Sequence, residues 1–253
     1  LNLFKSETFF DVELSVSKET IKAHKAILSV RSSILKEWLS DPSSSSLPDA
    51  SLVVWQQIFE EIYTGNASKE ADEETGKLRQ SLSLSSFVSA VQTLHKESPF
   101  ADVTVEVREG KKSKEFHLHK CILHCRSPFF AGMMNHEWKE QTDNRLIVSD
   151  MRIKTFKALV EFLYTDEILD LDTKTAGELL VIANREDLPR AKAFCETVLE
   201  KEIQKDFVVD TLLDASLHRA FGLQQICEWH MADPEWFDSC QQHPRWKEID
   251  QEI

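Results

Sequence analysis

The sequence predicts an α+β fold: two copies of one module, each a small sheet flanked by helices, followed by an α-helical hairpin. Three observations carry that prediction. An alternating apolar and polar run, an apolar stretch led by His-Lys, and a helical stretch ending in Tyr-Thr each occur twice, in the same order. A repeat of this kind outranks any element-by-element reading, because it dictates the architecture of both halves at once.

The first matched pair is Phe10-Asp11-Val12-Glu13-Leu14-Ser15-Val16 and Ala101-Asp102-Val103-Thr104-Val105-Glu106-Val107. Both have the period of a half-buried strand. The second pair is Ile21-Lys22-Ala23-His24-Lys25-Ala26-Ile27-Leu28 and Phe116-His117-Leu118-His119-Lys120-Cys121-Ile122-Leu123. Each runs from a strand into a helix and is followed by Arg-Ser, Arg31-Ser32 and Arg126-Ser127. Between these segments the second copy is longer, and Glu109-Gly110-Lys111-Lys112 there predicts a tight hairpin turn. The third pair is Ile58-Phe59-Glu60-Glu61-Ile62-Tyr63-Thr64-Gly65 and Leu159-Val160-Glu161-Phe162-Leu163-Tyr164-Thr165-Asp166, apolar at the three-four spacing of a helix, with Gly65 placed to end its helix in a left-handed cap.

Beyond these segments the copies diverge. Residues 1–95 read as a first, divergent copy in which Ser43-Ser44-Ser45-Ser46 and the acidic Lys69-Glu70-Ala71-Asp72-Glu73-Glu74 are expected to be mobile loops, and Leu84–Val91 is the candidate closing helix. Residues 96–200 read as the complete copy, closed by helical runs over Glu178–Asn184 and Ala191–Leu199 with Pro189 between them. Over 201–253 the apolar residues from Phe207 to Cys227 recur at helical spacing around Gly222, which gives the hairpin.

Apolar residues are 42% of the 253 and charged residues 29%, the balance of a globular chain with a real core. Lys and Arg number 30 against 43 Asp and Glu, a formal charge of −13, so the long-range field repels nucleic acid and anionic lipid and favours a basic or neutral partner. No apolar run approaches the roughly 20 residues that span a bilayer, and Leu1-Asn2-Leu3-Phe4-Lys5 is not a signal peptide. The expectation is an intracellular protein, cytoplasmic or nuclear, and one that continues upstream, since the chain does not begin with Met. Five cysteines without a Cys-x-x-Cys pair point to thiols in a reducing compartment.

A strand beginning with Asp-Val, a hairpin, a strand running into His-Lys and an apolar helix, then Arg-Ser and a helix ended by Tyr-Thr, resembles the BTB/POZ family. The resemblance covers most of 98–200 and, more partially, 8–95. Residues 201–253 resemble the start of the BACK or 3-box region that follows this module in ubiquitin-ligase adaptors. It implies a tandem BTB chain of the kind found in RhoBTB proteins and in proteins with RCC1-like or ankyrin repeats upstream. The resemblance implies self-association through the BTB copies, as a homodimer or within one chain, docking of cullin-3, and a ubiquitination substrate held by an upstream region.

In such adaptors cullin-3 docks beside a hydrophobic-x-Glu motif, whose place here is Trp138-Lys139-Glu140, with Phe130, Met133 and Met134 on the helix before it. Leu35-Lys36-Glu37 falls too early in the first copy to be its equivalent, so only the second copy is expected to dock. An exposed aromatic supplies desolvated contact area and a carboxylate fixes orientation. Flexible thioethers adapt to partner side chains, although Phe130 and both Met residues suit a helix core equally well. The competing reading is a BTB oligomerisation platform in a transcriptional or trafficking protein without ligase function.

Other constellations favour structure over chemistry. His117, His119, Cys121, His124 and Cys125 invite a zinc reading, but their counterparts Lys22, His24, Ala26, Ser29 and Val30 keep one ligand, so no metal is expected. Asp11 with Lys25 and Asp102 with Lys120 read as structural pairs or as parts of a partner pocket, because a buried unpaired charge is too costly. Cys121 and Cys125 read as core. No Gly-rich phosphate loop or nucleophile elbow occurs, so neither an enzyme nor a cofactor is expected. Trp229, Trp236 and Phe237 are expected to close the C-terminal core, with a partner surface as the alternative.

Overall fold

The computed structural model describes residues 8–16, 19–41, 47–67, 72–136, 144–201 and 203–252. The chain forms two compact units, one of residues 1–150 with 163–165 and the other of 151–162 with 166–253. The first unit therefore holds the whole first copy together with the sheet and leading helices of the second.

In the first copy, β1 (Val12–Val16) and β2 (Glu19–Ala23) pair antiparallel. Leu14 and Val16 point inward and Glu13 and Ser15 outward, as the alternating sequence requires. Four helices follow this pair: α1 (Lys25–Arg31), α2 (Ser33–Ser40), α3 (Leu52–Thr64) and α4 (Glu73–Leu82). Ser32, Ser51 and Asp72 cap α2, α3 and α4 by accepting a hydrogen bond from the amide three residues on. Gly65 ends α3 at φ 75°, the left-handed cap read from the sequence, and Asp166 occupies the same conformation at φ 63° after the matching helix.

The acidic stretch corrects one expectation. Glu73 and Glu74 are the first turn of α4, where negative charge meets the positive end of the helix dipole, and Leu78 and Leu82 give that helix a buried face. Residues 69–71 and Ser43–Ser46 lie outside the described residues. The closing helix sought near Leu84–Val91 is α5 (Phe87–Glu97), which buries Ala90 and Leu94 and packs on α1.

The second copy opens with β3 (Val103–Glu109) and β4 (Lys112–Leu118), joined by the two-residue turn Gly110-Lys111 with Gly110 at φ 59°. After α6 (Lys120–Arg126) and α7 (Pro128–His136), β5 (Arg145–Val148) adds parallel to β3, so the strand order is β4-β3-β5. Among the described residues the first copy has two strands. The stretch before α3, where a counterpart of β5 would fall, lies partly outside them.

The second unit continues through α8 (Ile153–Thr165), whose last residues belong to the first unit, into α9 (Thr173–Arg185) and α10 (Pro189–Lys201), which pack together. The hairpin of α11 (Val208–Leu217) and α12 (Phe221–Met231) follows, and two further short helices extend it: α13 (Pro234–Gln241) and α14 (Trp246–Glu252). Pro234 sits at the first turn of α13, where its missing N–H costs nothing. Trp229 corrects a second expectation, being 72% exposed. Leu223, Cys227 and Met231 form the buried stripe of α12 at four-residue spacing, and Trp229 falls on the opposite side. Trp236 is half-buried with its ring stacked on His230 at 4.5 Å, and Phe237 is 41% exposed.

Candidate interaction surface

The repeated Asp, His, Arg and Tyr residues build the same construction twice. Asp11 and Asp102 stand just ahead of β1 and β3, and each carboxylate accepts a hydrogen bond from the first amide of the next helix, Lys25 N at 2.7 Å and Lys120 N at 2.8 Å. The Asp partner is thus the backbone of each Lys, at the positive helix end where an anion is favoured. Neither N-cap residue, His24 or His119, supplies a side-chain cap of its own. Asp11 is exposed, whereas Asp102 is more enclosed and burial raises its pKa despite the amide and the Lys120 charge. The Lys120 ammonium donates to Asn144 Oδ1 at 2.6 Å.

The two histidines hold the end of the repeated helix. His24 Nδ1 lies 2.8 Å from the Tyr63 hydroxyl, and His119 Nδ1 lies 2.8 Å from that of Tyr164. Each Tyr oxygen also accepts the backbone N–H of its His, at 2.9 and 3.0 Å. The Nε2 atoms face the carbonyls of Thr8 and Pro99, at 2.9 and 2.8 Å. A carbonyl only accepts, so Nε2 carries the proton and Nδ1 receives the Tyr O–H. Every polar atom in this buried cluster is satisfied by a neutral imidazole. Burial accordingly lowers the His119 pKa and pushes the Tyr164 hydroxyl well above its ordinary value.

Arg31 and Arg126 complete the repeat. Their Nε atoms donate to the carbonyls of Ile62 and Leu163, at 3.0 and 3.1 Å, in the last turn of the helix that carries Tyr63 or Tyr164. The Ser after each Arg accepts from an amide three residues on, Leu35 N at 3.1 Å and Phe130 N at 3.3 Å. The sequence displayed all of these residues as matches, but the partnership of His with Tyr was missed. Its signal was the joint recurrence of His-Lys and Tyr-Thr.

The expected docking residues divide. Phe130 and Met134 are 1% and 3% exposed and lie in the interior side of α7, while Met133 is half-buried. Trp138 and Glu140 lie outside the described residues. Cys121 is buried as read, but Cys125, in the last turn of this seven-residue helix, is exposed, which corrects its reading as core. His117 pairs with Thr104 on the exposed sheet face and His119 with Tyr164 in the interior, so neighbouring residues of β4 and its end point to different surroundings.

A charged cluster on the second copy's sheet also escaped the sequence. Glu106 and Glu115 are directly opposed across β3 and β4, and like charges so placed repel. Arg145, from β5, donates to both, at 3.0 and 2.5 Å, and Arg108 adds two hydrogen bonds to Glu106. These hydrogen bonds hold the Glu106 carboxyl down at about 2. The cluster ties all three strands together on the face away from Val103, Val105 and Val107.

The two copies thus share one sheet-and-helix module held by the same anchors. The BTB/POZ domain model matches residues 1–92 and again 91–203, and the chain belongs to that family. Among solved structures it is similar to the BTB domain of zebrafish PATZ1, at 20% identity, over 49% of this chain and 93% of that one, with a TM-score of 0.36. Domains of this family mediate self-association and partner binding. Among the described residues no helix is long and apolar enough to cross a membrane.

Proposed function

We propose that this chain is a scaffold whose second copy docks cullin-3, making it a substrate adaptor of a cullin–RING ubiquitin ligase. The observation that carries the proposal is the setting of α7. Phe130 and Met134 anchor its inner side, Met133 is half-buried, and Trp138-Lys139-Glu140 begins two positions after His136 in the sequence. A fixed helix leading into an aromatic and a carboxylate suits a docking edge, in which one apolar anchor supplies most of the affinity. The first copy offers no equivalent motif. The C-terminal extension leaves Phe221 and Trp229 exposed, and substrate binding would fall to a region upstream.

The second reading, an oligomerisation platform in a transcriptional or trafficking protein, draws on the helical packing that the two copies share. Calorimetric titration with the N-terminal region of cullin-3 separates the two. Submicromolar binding at one cullin per chain, abolished by Trp138→Ala and by Glu140→Lys, is the expected result. No heat of binding from the folded protein would leave the platform reading.

A further inference from the structure

We infer that the two copies form, inside one chain, the self-complementary pair that a single copy must otherwise find in a second molecule, and that this leaves the chain monomeric. This goes beyond the cullin proposal and does not depend on it. The observation is the composition of one apolar cavity of about 40 Å³ in the first unit. Ile27, Ile62 and Tyr63 line it from the first copy, and Ile122, Leu163 and Tyr164 line it from the second. These are the same three positions of the repeat. A contact in which one patch meets its own equivalent is the signature of two-fold, isologous association, here closed between halves of a single polypeptide.

Two further contacts cross between the copies. Helix α5, the closing helix of the first copy, contributes Ala90 and Leu94 to the cavity wall, and its His95 ring lies 5.5 Å from that of Tyr164 in the second copy. At the opposite end Phe9, just ahead of β1, sets its ring edge-on to His124 of α6 at 5.2 Å. The first copy thus touches the second near both of its ends. Ile27, Ile122, Leu94 and Leu163 are all less than a tenth exposed, so the apolar face that drives pairing is already covered. The linker keeps the partner copy at a high effective concentration, against which a second molecule competes poorly.

The test uses the whole chain. Light scattering over a wide concentration range should return the mass of one chain, 29.2 kDa, throughout. A concentration-dependent rise toward twice that mass overturns the inference. Equilibrium unfolding of Ile27→Ala, Ile122→Ala and the double variant supplies an independent arm. Because both side chains line one cavity, the double variant should lose clearly less than the sum of the single losses. Strict additivity would mean that each Ile belongs only to its own copy, and would also overturn the inference. Should an Ala variant fail to fold, the Ile→Val series gives the same comparison with a smaller perturbation.

Discussion

Tyr164 shows how much of this fold rests on single polar atoms. Its hydroxyl accepts the His119 amide and donates to Nδ1, so Tyr164→Phe leaves two buried groups without a partner while changing little in shape. A loss of about 1–3 kcal/mol is expected in chemical denaturation, because an orphaned buried group costs its full desolvation. Titration at His119 follows from the same burial. Its folded pKa lies below the ordinary 6.5, so the unfolded chain binds the proton more readily. The contribution is complete above 6.5 and is lost as pH falls from there toward the folded value. The unfolding temperature should therefore fall on acidification below 6.5, and His119→Gln should flatten that dependence. Both histidines were legible as repeated residues. That they bind a Tyr from the far end of the module was not, since 39 and 45 positions separate the partners.

At the scale of elements, helix ends and strand pairs decide local stability. Gly65 ends α3 at φ 75°, and a Cβ there would stand 2.7 Å from Phe87 Cβ, an atom that no side-chain rotation can move. Gly65→Ala should destabilise by more than the ~1 kcal/mol that left-handed backbone strain alone costs. Asp166→Gly, at the matching cap with φ 63°, should be neutral or mildly stabilising. Thermal unfolding of the two variants side by side checks the contrast. On the sheet, Arg145→Gln removes the cation between Glu106 and Glu115 and should lower the unfolding temperature, with an effect that shrinks as salt is added. The sequence announced the Gly65 cap and the Gly110 turn, because glycine there reports a backbone conformation. It concealed α4, because acidic residues at a helix start resemble a solvated loop until Asp72 and the buried Leu78 and Leu82 are seen. The exposure of Trp229 was concealed for a similar reason: an aromatic residue gives no sign of which side of its helix faces the core.

At the scale of the whole molecule, the first unit is a structure that neither copy completes alone. Leu94 lies in the junction helix and is 3% exposed against residues of both copies. Leu94→Ala should cost about 2–5 kcal/mol, the range for a large core truncation. Hydrogen exchange should show the loss in the β1–β2 and β3–β4 hairpins together. Protection lost in the first hairpin alone would place Leu94 in one copy only. The charge of −13 acts at the same scale, setting encounter rates with basic partners more than affinity.

What the sequence determined by itself was whatever depends on local pattern and its recurrence: two copies of an α+β module, the hairpin turn, the left-handed cap, and helices after the second copy. Alternation and three-four spacing are properties of neighbouring residues, and a repeat needs no coordinates to be seen. Only the tertiary structure decided which repeated residues touch. It turned the Asp–Lys pairs into carboxylates bonded to helix amides, joined each His to a distant Tyr, placed Phe130 and Met134 inside α7, and brought Ile27 and Ile122 to one cavity wall. Such contacts depend on chain closure over tens of residues, and the same short pattern is compatible with many closures until packing and hydrogen-bond satisfaction select one.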